Sequence, residues 1–242
     1  MDTSVAFPRP TAARRHMPAA KKALHRLLRL KPSFALHRSY SPRRPALEAY
    51  IQRQFKQSYD AQVTEFLPTL SSMHCQGRIS AVAGIRTAHR HDLFVERYLD
   101  ERIERILGRL SSTRVARKDV VEIGNLSATH RGATLLFFTL QVTMLHEAGF
   151  KWAVFAATDQ VTRIAGRLDF VTLELGPADP ARLGDEAAHW GSYYDNRPAV
   201  HAVDIAATVA GLRRSPLPAA VIAFFSDTIS ELAQSKRIHP LP

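Results

Sequence analysis

Glu122 and Gly132 are the two positions at which this chain offers chemistry, in a segment that reads VVEIGNLS from Val120 and continues as ATHRG. Glu122 is a carboxylate inside an apolar, β-branched run that predicts a strand. With a side-chain period of two, it shares a face with Val120, Gly124 and Leu126, while Val121, Ile123 and Asn125 point the other way. Held among apolar neighbours, such a carboxyl group has a raised pKa, which suits it to accept a proton near neutral pH. A structural ion pair with Arg86 or Arg97 is the competing expectation. Gly132 stands where the strand gives way to a helix. There the backbone can approach a ligand closely, and the helix N-terminus offers N–H groups and a positive dipole to a phosphate. The same glycine also suits the plain turn of a β-to-α junction.

The elements that must position these residues follow from periodicity. Leu47, Tyr50, Ile51 and Phe55 predict an amphipathic helix over 46–59. Residues 65–75 and 78–88 read as strands of a hairpin joined by Gln76-Gly77. Asp92 is expected to cap one helix through LFVERYLDERIERILGRL, ahead of the Glu122 strand. A long buried helix from Gly132 to near Gly149 then leads into a strand over 151–158. Thr158 or Asp159 is expected to cap the next helix, and a strand over 171–175 and helices over 202–214 and 217–233 complete the order. A hairpin followed by βαβ-like units predicts an α/β (α+β) fold, a mixed sheet with helices packed on it. The expected organisation is a basic tail (1–45), disordered or amphipathic, a main domain (46–200) and a C-terminal helical extension (201–242).

Composition narrows the function. Residues 1–45 hold 11 of the 33 Lys and Arg but only one of the 22 Asp and Glu, leaving 22 cations against 21 acids elsewhere. A body that is nearly neutral lacks the electrostatic footprint of a nucleic-acid groove, so no nucleic-acid partner is expected. The one cysteine, Cys75, can form no internal disulfide and is expected to be a small buried hydrophobe. His89 and His91 lack convergent ligand spacing, so no metal site is expected, and neither a P-loop nor a Gly-x-Ser-x-Gly elbow occurs. The apolar runs 135–145 and 217–225 are too short to span a bilayer. Without an apolar signal region, a cytoplasmic location is expected. Residues 21–30, KKALHRLLRL, set Leu24, Leu27 and Leu28 on one helical face among basic residues, a pattern suited to peripheral contact with an anionic membrane surface.

Several blocks in order, AVAGIRTA, LFVERYLD, the run from VVEIGNLS to AGRLDF, and WGSYYDNRP, resemble the thermostable hemolysin family over about residues 46–205. That family is similar in its strand–Gly–helix–strand–helix core to the GNAT acyltransferases and, more distantly, to acyl-homoserine-lactone synthases. The resemblance implies a GNAT-like, mostly antiparallel central sheet flanked by helices. It also implies an acyl group moved from a thioester to a small-molecule amine acceptor. Acyl-CoA or an acyl-carrier-protein thioester would serve as co-substrate, with no tightly bound cofactor. Glu122 would be the general base, with Glu96 and Tyr193 as further catalytic candidates. Backbone N–H groups around Asn125, Leu126 and Ser127 would hold the oxyanion, and Arg131, Gly132, Ala133 and Thr134 would seat the donor's pyrophosphate. Arg86, Tyr98 and Trp190 would bind the acceptor. Of the GNAT pattern Arg/Gln-x-x-Gly-x-Gly/Ala, the stretch Thr129–Thr134 keeps only the central glycine, and residues 159–168 contain no tyrosine to protonate a departing thiolate. Packing of Tyr193 and Tyr194 beside Trp190 is the plainer expectation for those rings. The rival functions are a membrane-active protein, working through its basic tail or a lipid product, and a GNAT-fold binding protein without chemistry.

Overall fold

A computed structural model describes residues 17–89, 91–129, 131–168, 170–235 and 238, leaving out the side chains of residues 17–21 and 131–133. Seven strands form one mixed sheet: β1 (Ser33–Arg38), β2 (Thr69–Cys75), β3 (Arg78–Thr87), β4 (Val120–Ala128), β5 (Trp152–Ala157), β6 (Thr172–Pro177) and β7 (Ala199–Asp204). Their order is β1-β2-β3-β4-β5-β7-β6, and every neighbouring pair is antiparallel except β4–β5. The β2–β3 turn has φ of 52° at Gln76 and 75° at Gly77, both in the left-handed region that a two-residue hairpin turn of this kind demands.

The helices are α1 (Met17–Leu28), α2 (Arg44–Tyr59), α3 (Ile103–Ser111), α4 (Arg131–Glu147), α5 (Asp159–Gly166), α6 (Ile205–Arg214), α7 (Pro216–Phe224) and α8 (Ser226–Ala233). α4 crosses between the parallel strands β4 and β5, and α6, α7 and α8 pack beside it to enclose the larger core, with Phe137, Leu140 and Met144 fully buried. On the other face α2 covers β2 and β3, while 3₁₀ segments Phe94–Tyr98 and Pro180–Asn196 cover β5 and β7.

The structure departs from the sequence reading in several places. Residues 33–38 form an edge strand rather than part of a tail, because Phe34 and Leu36 bury against the sheet as β1 pairs with β2 from Ser33–His74 to Arg38–Thr69. Arg44 is likewise buried: its guanidinium donates to the carbonyls of Leu67 and Pro68, both at 2.9 Å. Residues 199–204, partly read as helix, form β7 between β5 and β6, and Asp204 caps α6 through a 2.8 Å bond from the Ala207 amide. The single helix expected from Asp92 is broken between Tyr98 and Ile103. Glu96 accepts from the amides of both Leu93 (2.9 Å) and Ile103 (3.0 Å), and so anchors the starts of two separate helical segments. The last long helix is interrupted at Phe225. Leu24, Leu27 and Leu28, the residues that would enter a lipid surface, instead pack against the core as α1 lies on α7. Among the described residues no helix is long and apolar enough to cross a membrane.

Candidate active site

β4 and β5 pair only from Val120–Trp152 to Glu122–Val154, and beyond that point they separate. The cause lies in β4 itself. Its register against β3 shifts between Val82 and Gly84, opposite Asn125, whose φ is 50°. Such a bulge bends the strand and alters which face its side chains take. Leu126 and Ala128 therefore join Val121 and Ile123 on the α4 face, so the expected sharing of a face by Glu122 and Leu126 is corrected. Asn125 holds the distortion in place: its Oδ1 accepts from the Leu67 amide at 2.9 Å and its Nδ2 donates to the Glu65 carbonyl at 3.1 Å. Gly84 is required beneath, since a Cβ there would lie 2.7 Å from Leu67 Cβ and 2.8 Å from Asn125 Oδ1.

The fork opens a cavity of about 390 Å³ that is lined from both faces of the sheet. Its outer branch is aromatic, with Phe55 and Tyr59 from α2, Phe94 and Tyr98 from the first 3₁₀ segment, and Trp190 and Tyr193 from the second. Tyr193 meets Tyr59 at 5.2 Å and Trp190 at 5.5 Å between ring centroids, and Phe94 meets Trp190 at 5.9 Å. Gly191 permits this wall. Its φ is 52°, and a Cβ would run into the Tyr59 carbonyl. The inner branch, under α4 and α5, is lined by Phe138, Gln141, Val142, Leu145, Phe155 and Phe170.

Glu122 lies at the throat and is 2% exposed. Its two oxygens accept from the amides of Phe94 (3.0 Å) and Val95 (2.8 Å), and the Arg86 guanidinium forms a longer ion pair with it at 3.8 Å, the pairing expected as the alternative role. Burial dominates and raises its pKa, with the two amides and Arg86 opposing. Arg97, the other expected partner, pairs instead with Glu186 at 2.6 Å.

The other expected site residues divide. Arg86, Tyr98, Asn125, Leu126, Trp190 and Tyr193 line the cavity together with Glu122. The Tyr98 hydroxyl is 2.6 Å from that of Tyr194, and the buried Tyr193 hydroxyl donates to the Ala156 carbonyl at 3.4 Å. Burial pushes both phenols, Tyr98 and Tyr193, above their ordinary value. Glu96 is a correction: it does not border the cavity and is occupied by Arg117, at 2.7 Å to each oxygen, and by the two amides it accepts from. Burial works to raise its pKa, but Arg117 and the amides prevail and hold it at about 2. Ser127 and Thr134 are buried and are not among the cavity-lining residues. α4 begins at Arg131, which puts a helix N-terminus just after β4, while the side chains of Arg131, Gly132 and Ala133 lie outside the described residues.

The family model for thermostable hemolysin matches residues 37–209, well over half the chain. The chain belongs to the thermostable hemolysin family. No curated protein sequence matches this hemolysin-family chain. Solved structures resemble it in fold, among them the following three. TofI in an apo form has a TM-score of 0.54 at 18% identity, covering 77% of this chain and 99% of its own. FeeM, an N-acyl amino acid synthase from uncultured soil microbes, has a TM-score of 0.52 at 14% identity, with 80% and 97% covered. The AHL synthase LasI has a TM-score of 0.50 at 10% identity, with 72% and 90% covered. The hemolysin-family chain thus has the mixed, mostly antiparallel GNAT-like fold.

The sequence reading missed the inner wall from α4 and the aromatic contributions of Phe55, Tyr59 and Phe94. For α4 a signal existed, since Phe138, Gln141, Val142 and Leu145 follow the i, i+3, i+4, i+7 spacing of one helix face.

Proposed function

We propose that this protein is an N-acyltransferase that moves an acyl group from a pantetheine thioester to the nitrogen of a small amine. The thioester is that of coenzyme A or of an acyl-carrier protein. One observation carries the reading: a cavity passes through the sheet where β4 and β5 separate, with a buried carboxylate at its throat. The fold shared with FeeM and LasI, named as an N-acyl amino acid synthase and an AHL synthase, supports it.

In this reading the acyl chain occupies the apolar inner branch and the acceptor the aromatic outer branch. The donor's charged end lies toward the N-terminus of α4, where helix amides favour anions. Ionised Glu122 takes a proton from the acceptor amine, directly or through a water. The amine lone pair attacks the thioester carbonyl, forming the C–N bond. β4 amides beyond Glu122, where no ladder to β5 runs, donate to the developing oxyanion. Collapse breaks the C–S bond, and the leaving thiolate takes a proton. Tyr193, whose burial keeps its phenol protonated, is the donor we assign for that step. The products are an amide and a free thiol, with no covalent enzyme intermediate. Arg86, in a long ion pair with Glu122 at 3.8 Å, favours the ionised form of the carboxylate. The ordering of Phe94 and Val95 by Glu122 also holds one side of the acceptor pocket.

The test is thiol release from acyl-CoA and acyl-carrier-protein donors incubated with pools of amines. Release that depends on the amine, and that Glu122→Gln removes while donor binding persists, is the expected result. No release with any donor, together with no thermal shift on adding coenzyme A, would count against the proposal.

A further inference from the structure

The outer branch of the cavity is walled by rings that touch one another in series. Tyr98 meets Phe94 at 5.7 Å, Phe94 meets Trp190 at 5.9 Å, Trp190 meets Tyr193 at 5.5 Å and Tyr193 meets Tyr59 at 5.2 Å between centroids. Successive planes are inclined by 44° to 89°, so the wall is made of faces and edges, not of one flat stack. The Tyr98 hydroxyl is engaged with Tyr194 and that of Tyr193 with the Ala156 carbonyl, so these rings offer a ligand carbon surface. Among the side chains that line the cavity, Glu65 and Glu186 are acids, while the charge of Arg86 is set against Glu122 at 3.8 Å. The rim already holds one cation of the protein's own. The Arg97 guanidinium lies over the Phe94 ring, 5.3 Å from its centroid, and pairs with Glu186 at 2.6 Å. A ring and a carboxylate are the two groups that suit an alkylammonium, the ring attracting the charge without a hydrogen bond and the carboxylate countering it. Glu65 is exposed, and among the described residues no hydrogen bond or ion pair holds its carboxylate; its backbone carbonyl serves Asn125, and Arg97 acts on it only at longer range.

Resting on the acyl-transfer reading above, we propose that the acceptor is a diamine, acylated at one end and held as an ammonium at the other. The reacting amine enters the throat at Glu122. The second amino group stays protonated in the outer branch, against the ring wall and with Glu65 as its counter-charge. Transfer forms one C–N bond and breaks the C–S bond, so the products are a monoamide that keeps its distal ammonium and a free thiol. A plain alkyl tail in the same place has only dispersion contact with the rings. A carboxylate tail meets ring faces and rim acids of its own sign, which repel it. The order of preference is therefore diamine, then alkylamine, then amino acid with its carboxylate at the far end.

The experiment is steady-state acyl transfer by the full-length protein, using the donor that supports thiol release. The acceptors are cadaverine, pentylamine and the ω-amino acid of the same length, at one pH and ionic strength. They share the reacting amine and differ at the far end. Cadaverine should give a kcat/KM roughly tenfold above that of pentylamine, and the amino acid should rank last. The analogue of cadaverine with one end trimethylated should keep the advantage, because a ring needs no N–H. Glu65→Gln should shrink the advantage of the diamine. Arg97→Ala, which clears a competing cation from Phe94 and Glu186, should enlarge it. Pentylamine or the amino acid matching or exceeding cadaverine would overturn the cationic acceptor while leaving acyl transfer standing. So would an advantage lost on trimethylation, unchanged in Glu65→Gln or diminished in Arg97→Ala, and so would release with other amines but none of these. Release with no amine at all would overturn both.

Discussion

Two carboxylates a few residues of structure apart meet opposite fates. Glu122 and Glu96 each accept two backbone amides around the same 3₁₀ turn, Phe94 and Val95 for the first, Leu93 and Ile103 for the second. They differ in burial, Glu122 being the deeper, and in the guanidinium. Arg117 grips both oxygens of Glu96 at 2.7 Å and also reaches Glu104 at 2.8 Å, whereas Arg86 makes only a single, longer ion pair with Glu122 at 3.8 Å. Glu96 is consequently held at about 2, and Glu122 is raised by burial despite its amide donors. At the deeply buried Glu122 two amide bonds do not offset the loss of water, whereas at the less buried Glu96 a bidentate arginine added to two amides does. The first arrangement makes a fixed charge that joins two helical segments. The second leaves a group that still exchanges protons and borders a cavity.

The comparison breaks most directly at Glu122. Glu122→Gln should lower turnover by roughly 10²–10⁴-fold, the range for a general base, while Glu96→Gln should change turnover far less and stability far more. Steady-state rates alongside donor affinity would separate the two. Next in size, Arg117→Ala strands Glu96 without its counter-charge and should cost roughly 3 kcal/mol in denaturant unfolding.

The pH dependence sharpens the contrast, because the two groups have opposite signs. Glu96 is lowered in the fold, so its contribution is present above the ordinary carboxylate value of 4.5 and is lost as pH falls toward about 2. Wild-type stability should decline over that window, and the decline should flatten in Arg117→Ala. Glu122 is raised, so its ionisation opposes folding as pH climbs past the ordinary value. Glu122→Gln should then compare more favourably with the wild type at pH 8 than at pH 4 in melting experiments. The smallest expected effect is at Arg86. Arg86→Gln weakens support for ionised Glu122 and should move the acidic limb of the pH–rate profile to higher pH, with little change in folding.

Local signals made much of this molecule legible in its sequence. The Gln76-Gly77 hairpin, the β4–α4–β5 crossover and the Glu122 strand all rest on short-range pattern and turn chemistry. β1 was hidden because Phe34 and Leu36 sit among prolines and arginines, and only their pairing with β2 makes them a strand. β7 was hidden because Val200, Ala202 and Val203 run directly into a helical stripe, and the capping by Asp204 marks the change. The fates of the two glutamates were not legible at all. Arg117 lies 21 residues from Glu96 in sequence, and nothing local says that it, rather than Arg86 or Arg97, closes on a carboxylate. The bulge at Asn125 depends on partners at Glu65 and Leu67 that no period reveals.

The central claim is that the separation of β4 from β5 admits a pantetheine-borne acyl group. A crystal structure of the protein with a non-hydrolysable acyl-CoA analogue tests it most directly. The account predicts density for the arm between the two strands, the carbonyl beside Glu122 and the chain running past Phe138 and Phe155 under α4. An analogue bound elsewhere, with the space between β4 and β5 closed by side chains, would contradict it.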